Sequence, residues 1–346
     1  MNRACQISVL SFYSDNPKSK IKNPKSVGLV TLAFTFALGG AVGAQPTKVP
    51  RIGFLGGTSA QSARIEPFRQ GLRELGYVEG KNIVIEWRHH EGKQDRLPVL
   101  AAELVRLKVD IIITVGPPAA RAAKEVTATI PIVMMQVGDP VGSGFVASLA
   151  RPGGNITGLS SLAPELSGKR LELLKEIVPR LSRVAVFGTS TSPDNAQSLR
   201  EVELAAGALK LKLQYLDIRD PKDIETAFRA ASKGRAEAVL MMVTGAIATT
   251  HRTEIAELAV KSRLPAIYER QEHVEAGGLM TYGVNQNDLD RRAATYVDKI
   301  LKGRTPADLP VEQPIKFEFI INLKAAKQIG LTIPPNVLVR ADKVIR

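Results

Sequence analysis

From Pro50 onward the chain alternates short β-branched runs with longer stretches whose apolar residues recur every three or four positions. These are the periods of buried strands and of amphipathic helices. Residues 51–55 (RIGFL) predict a strand, followed by a Gly57-Thr58-Ser59 turn and a helix over 61–75 that Gly76 ends. Residues 82–87 predict the next strand and 97–107 the next helix. The runs DIIITV (110–115) and IPIVMMQ (130–136) are apolar almost throughout, as expected of strands covered by helices on both faces. Between them, 118–127 reads as a helix with proline near its start.

The same alternation resumes after RPGGNITG (151–158), where proline and paired glycines predict a tight connection. Helices are expected over 166–177, 194–209, 223–231, 247–262, 288–302 and 323–329, and Gly330 ends the last of them. Strands are expected over 183–187, 213–217, 238–243, 266–268, 279–283 and 315–321. Repeated strand-then-helix units imply parallel sheets with right-handed crossovers. The fold class is therefore α/β, with two doubly wound lobes in tandem, divided near residue 160. Ligands of such folds sit in the cleft at the carboxyl ends of the strands.

Composition changes this picture mainly at the N-terminus. Lys20, Lys22 and Lys25 precede an uncharged run, SVGLVTLAFTFALGGAVGA (26–44), with small residues at Val42 and Ala44. That pattern predicts an export signal over residues 1–44, cut before Gln45, and hence a periplasmic mature chain. Gly28, Gly39, Gly40 and Gly43 weaken the run as a membrane span, which needs about 20 strongly apolar residues. The one cysteine, Cys5, lies upstream of the run, so the mature chain would carry no disulfide, thiolate metal site or cysteine nucleophile. Net charge is +13, of which +9 remains without residues 1–44. Basic residues are interspersed with acids, as in KRLELLKEIVPR, and read as solvated helix faces rather than a nucleic-acid footprint. Arg291-Arg292 reads the same way. Aromatics are only 5% of the chain, so the core must be aliphatic, and Met134-Met135 and Met241-Met242 are expected within it.

Catalytic and cofactor motifs are missing. The first loop, GFLGGTSA, is not a dinucleotide fingerprint, and neither a phosphate loop nor a nucleophile elbow occurs. His89 and His90 are adjacent on a strand and point to opposite faces, a poor chelate. With His251 and His273 they read as surface histidines. No metal, cofactor or catalytic residue is expected. What remains are polar residues where strands end: Gly57, Thr58, Ser59, Gly116, Pro117, Gly138, Asp139, Thr189, Ser190, Ser192, Thr244, Tyr268 and Glu269. Glycines and hydroxyls at helix N-termini would offer backbone N–H groups to an anionic ligand, although the same residues are the usual helix caps. Asp139 would suit an ammonium group, and Tyr268 or Tyr282 an apolar or aromatic moiety.

Four segments carry a resemblance: FRQGLRELGYVEGKNIVIEWR, DIIITVGPPAARAAK, IPIVMMQVGDPVGSGFVASLARPGGNITGLS and GGLMTYGVNQNDLDRRAATYVDKILKGRTPADLPVEQP. From about Arg51 to Pro335 the sequence resembles the periplasmic ABC-transporter substrate-binding proteins related to tryptophan and tyrosine binders. The resemblance implies a type 1 periplasmic-binding-protein fold whose chain crosses between lobes three times. Lobe 1 would then comprise 45–159 with a return segment 285–311, and lobe 2 160–284 with 312–346. The crossovers near Leu159, Val284 and Val311 would form a hinge, closing the cleft around a small molecule for an ABC permease in the inner membrane. A monomer without nucleic-acid partners is expected. The sequence departs from the family at Gly188-Thr189-Ser190-Thr191-Ser192-Pro193, where relatives carry an Asn-Pro-rich loop. This departure leaves an ordinary amino-acid ligand open to question.

Three other readings compete. A ligand-responsive repressor shares the lobes but carries a DNA-binding module where this chain has its expected export signal. A two-lobed enzyme would need a catalytic constellation. A periplasmic sensor uses the same binding module and differs only in its partner.

Overall fold

The computed structural model describes residues 48–57, 65–192, 195–243 and 245–346, the side chain of Ala246 excepted. The expected export signal, Cys5, Thr58, Ser59 and Thr244 lie outside these residues. The first half runs β1 (Arg51–Gly56), α1 (Glu66–Glu74), β2 (Val84–His89), α2 (Leu97–Arg106), β3 (Ile111–Val115), α3 (Pro117–Val126), β4 (Ile132–Val137) and β5 (Ile156–Ser160). Its five strands form one parallel sheet in the order β2-β1-β3-β4-β5. Both faces are covered, as the unbroken apolar runs require. Ile111 and Ile113 face Phe68 and Leu72 of α1, whereas Ile112 faces Leu104 of α2 and Ala123 of α3.

The second half begins with α4 (Ala163–Ile177), β6 (Arg183–Gly188), α5 (Asn195–Leu209), β7 (Lys212–Asp217), α6 (Asp223–Lys233) and β8 (Ala238–Met241). It continues through α7 (Gly245–Thr250), α8 (Arg252–Lys261), β9 (Ala266–Tyr268), α9 (Gln271–Glu275), β10 (Met280–Val284) and α10 (Gln286–Leu301). The chain finishes with β11 (Phe317–Asn322), α11 (Leu323–Gln328), α12 (Pro335–Leu338) and β12 (Lys343–Ile345). Seven strands form the second sheet, in the order β12-β11-β10-β9-β8-β6-β7. Val184 and Val186 face Leu171 and Leu174 of α4, while Ala185 and Phe187 face Phe228 of α6 and Ile255 of α8.

Several expectations are corrected. Residues 156–160 are a buried strand, not part of a connection: the bend ends at Asn155, and Ile156 starts pairing with Ile132. The helix expected over 247–262 breaks at His251, whose backbone leaves the helical region. The second sheet is not wholly parallel, because β11 runs antiparallel to β10. The reason is topological. The chain leaves the second sheet at the end of β10, visits the first lobe as α10, and re-enters beside its exit, so β11 must run the opposite way.

That excursion ties the lobes together. Helix α10 starts with Asn285 capping the Asp288 amide at 2.8 Å and packs on α1 so closely that a methyl group on Gly71 would lie 2.2 Å from the Arg291 carbonyl oxygen. The three linking segments run side by side: Ser160 N–H donates to the Glu312 carbonyl at 2.9 Å, Glu312 N–H to Gly158 at 3.0 Å, and Asn285 N–H to Lys316 at 3.1 Å. Arg292 is not a solvated residue. It is half-buried and ion-paired with Asp288 on its own helix and with Glu312 in the segment that leads back to the second sheet.

Candidate functional site

A cleft of about 810 Å³ lies where the carboxyl ends of both sheets meet. That volume suits one small solute. Lobe 1 contributes an apolar wall from Phe54, Ile65, Phe68, Val115 and Met135. Phe54 and Phe68 contact each other with ring centroids 5.8 Å apart. Lobe 2 contributes Arg170 from α4, Thr189 and Ser192 from the loop after β6, Met242 after β8, and Glu269 with Arg270 after β9. Methionines 134, 135, 241 and 242 are all buried, and two of them, Met135 and Met242, also reach the cleft.

Of the described residues expected at the site, Gly57, Gly116, Pro117, Thr189, Ser192 and Glu269 line this cleft. Most of them differ chemically from expectation. Gly116 already donates its N–H to the Met135 carbonyl at 2.9 Å, and Pro117 and Pro118 have no N–H, so the N-terminus of α3 is a poor anion cradle. Thr189 donates its amide to Asn195 Oδ1 at 3.2 Å and its hydroxyl to the Ile218 carbonyl at 3.0 Å. Ser192 donates its amide to Thr189. These groups hold the loop rather than await a ligand.

The remaining expected residues lie elsewhere. Ser190 binds Asp217 through amide and hydroxyl, at 2.8 and 2.7 Å. Burial alone would raise the Asp217 carboxyl, but these bonds outweigh it and hold the group below its usual range. Gly138 accepts the Ser160 hydroxyl at 3.1 Å, and Asp139 caps the Gly142 amide at 2.8 Å. Tyr268 is fully buried in the lobe 2 core, stacked on His273 at 4.9 Å, and burial pushes its hydroxyl pKa up. Tyr282 packs edge-on to Phe319, at 6.3 Å. An apolar body at a strand end drew both tyrosines into the core rather than the cleft. The histidines also depart from expectation. His273 is buried, and both ring nitrogens of His89 are buried without a partner among the described residues. Burial therefore holds the His89 imidazole below its usual value.

The polar groups that dominate the cleft were read from the sequence as solvated charge or were not singled out. Gln136, at the end of β4, adopts a left-handed backbone (φ 59°). Its Nε2 donates to the Asp290 carboxylate of α10 at 3.0 Å, while its Oε1 accepts from Arg270 at 2.7 Å. One side chain thus joins lobe 1 to lobe 2. Arg170 is only 2% exposed, and its Nε donates to the Tyr282 carbonyl at 2.7 Å. Burial pushes its guanidinium pKa down and the nearby Glu269 charge opposes this; a guanidinium is so basic that it stays charged even here. A signal existed: Arg170 lies four residues after Leu166 and four before Leu174, both buried, and so sits on the apolar face of α4. No group of three or more acidic, histidine or cysteine side chains able to hold a metal occurs among the described residues, and no described helix is long and apolar enough to cross a membrane.

Known proteins share this architecture. A tyrosine-binding protein of Clostridioides difficile (strain R20291) is 26% identical over 264 residues, 76% of this chain and 75% of that one. A conserved domain protein from Vibrio cholerae superposes with a TM-score of 0.79 at 29% identity, covering 86% of this chain and 100% of the other. An ABC domain from Streptococcus pneumoniae, in complex with L-Trp, gives the same TM-score of 0.79 at 25% identity, covering 86% of this chain and 99% of that one. The family model for ABC transporter substrate binding protein matches residues 53–345. That match takes in both sheets, all three linking segments and the cleft between them, and the chain belongs to the ABC transporter substrate-binding proteins.

Proposed function

We propose that the protein is the extracytoplasmic capture component of an ABC importer, holding one small amino-acid-like molecule between its lobes. One observation carries this reading: both lobes line a single cleft of solute size at the ends of their strands. The family supplies the general role, a substrate-binding protein that works with an ABC transporter. Tyrosine and L-Trp, named for two relatives, support an amino-acid-like ligand with an aromatic or apolar side chain. The apolar wall of lobe 1 gives such a side chain a place to be desolvated.

Capture would be reversible binding without a chemical step. The lobes of 45–159 with 285–311, and of 160–284 with 312–346, would swing about the crossovers near Leu159, Val284 and Val311. A ligand touching both lobes stabilises only the closed arrangement, and this differential affinity drives closure. Leu162, with a left-handed backbone (φ 50°) between β5 and α4, sits within one such link. Residues 1–44 would serve as a cleaved export signal and direct the chain to the periplasm.

A thermal-shift screen of the chain from Gln45, against amino acids, aromatic acids, sugars and purines, tests this. A ligand binding only the folded state at 100 times its Kd adds about 2.7 kcal/mol of stability. A saturable rise with one class, the compound remaining intact, is the expected result. No rise with any class would overturn the reading, and consumption of the compound would replace it with an enzyme.

A further inference from the structure

Two opposite charges in lobe 2 line the cleft with hydrogen-bonding capacity left unused among the described residues. Arg170 is almost wholly buried, yet only its Nε has a partner, the Tyr282 carbonyl. Its two terminal nitrogens make no hydrogen bond among the described residues, and the residue lines the cleft. A buried guanidinium left short of acceptors is costly, and the missing acceptor is most simply supplied by what enters the cleft. Glu269 lines the same wall, close enough for its charge to act on Arg170, but no ion pair joins them and its carboxylate accepts no hydrogen bond among the described residues.

Arg170 is held to β10 through Tyr282. The adjacent Gly283 approaches the Glu269 carbonyl so closely that a methyl group there would lie 2.2 Å from that oxygen. Of the other charges lining the cleft, Arg270 and Asp290 are occupied by Gln136, whereas Glu91, Lys93, Arg219 and Asp220 are solvent-exposed, where water screens them. Recognition of a charged ligand therefore falls to Arg170 and Glu269. A plain carboxylic acid would meet repulsion from Glu269, and a plain amine repulsion from Arg170. A molecule carrying both groups on one carbon satisfies both.

We propose that Arg170 and Glu269 form a receptor for a free α-amino acid. The terminal guanidinium nitrogens of Arg170 take the α-carboxylate, and Glu269 takes the α-ammonium. This deepens, and rests on, the capture reading above. Lobe 2 then reads the zwitterion while the apolar wall of lobe 1 faces the side chain. Each contact is a charge-assisted hydrogen bond in a poorly solvated site.

The test is calorimetric titration with the tightest-binding of the twenty common L-amino acids, its α-carboxamide, and the corresponding acid lacking the amine. The wild-type chain should bind the free amino acid about 10- to 100-fold more tightly than either analogue. Arg170→Gln, which removes the charge, should erase the preference over the carboxamide while keeping the preference over the des-amino acid. Glu269→Gln, at a half-buried position that tolerates an isosteric change, should do the reverse. A purely structural role would weaken all three ligands together and leave the ratios intact, which would overturn the proposal. Equal wild-type affinity for the three compounds would also overturn it. Binding of a sugar or purine, with no amino acid bound, would overturn it while leaving solute capture standing. Absence of any bound solute would defeat capture itself.

Discussion

The two lobes share one strand-and-helix grammar but present different chemistry to the cleft. Lobe 1 offers Phe54, Phe68 and Met135, side chains that also belong to the core around its sheet. Lobe 2 offers Arg170 and Glu269, which are carried on a helix and a loop and whose free ends take no part in the core. In lobe 1, stability and recognition are therefore properties of the same atoms. In lobe 2 they are separable at Glu269, because a half-buried charge in the loop after β9 can change without emptying the interior.

The largest expected effect breaks the comparison from the lobe 1 side. Phe68→Ala removes a fully buried ring that packs on Phe54, and should cost about 3–5 kcal/mol in urea unfolding. It should weaken ligand binding as well, whereas Glu269→Gln should weaken binding and leave the unfolding midpoint within about 0.5 kcal/mol of wild type. If Phe68→Ala lowered stability but left affinity unchanged, the shared wall would not be part of the site.

A smaller effect falls on the contact that joins the lobes. Gln136→Ala deletes the bridge between Arg270 and Asp290, and should lower ligand affinity about tenfold, the worth of one hydrogen bond to charged partners. Small-angle scattering of the unliganded variant should show a more open chain. Unchanged affinity and unchanged dimensions would show that closure does not depend on this side chain.

The smallest effect is a pH dependence seated in lobe 1. Burial holds the His89 imidazole below the usual 6.5, so the unfolded chain takes up the proton first as pH falls through that value. The folded state is the one that loses, and stability should decline from about pH 7.5 to about pH 5.5. His89→Phe, which keeps the ring packing beside Trp87, should make the melting-temperature profile shallower over that window, the remaining slope coming from His90, whose imidazole burial also holds below its usual value. A profile equally steep in the variant would place the titrating group elsewhere.

Much of the architecture was legible along the chain. Runs such as DIIITV could only be strands covered on both sides, and Ile111, Ile112 and Ile113 do divide between two helical layers. Strand β5 was harder to see, because ITGLS follows a proline and two glycines and carries a glycine of its own. The antiparallel course of β11 left no local trace, since strand direction follows from where the chain re-enters the sheet. The site was less legible. Thr189, Ser190 and Asp139 were marked by residue type, but their donors and acceptors are taken up by nearby backbone and side-chain groups. Tyr268 was marked by its place beside Glu269, but it is the last residue of β9 and its ring is buried in the core, whereas Glu269 lies in the loop beyond.

By itself, then, the sequence determined the α/β class, the two lobes and the ends of the strands at which a ligand would sit. Hydrophobic periodicity is a local property, and local periodicity dictates which face of each element is buried. Tertiary structure alone decided which polar groups remained available there. Whether an arginine on α4 is a solvated charge or an unpartnered guanidinium depends on β10 lying beneath it, and Tyr282 is 112 residues away along the chain. The bridge from Gln136 to Asp290 spans 154 residues, so neither partner can announce the other. A hydrogen bond has no periodicity, and only the folded chain shows which donors and acceptors have been left for a ligand.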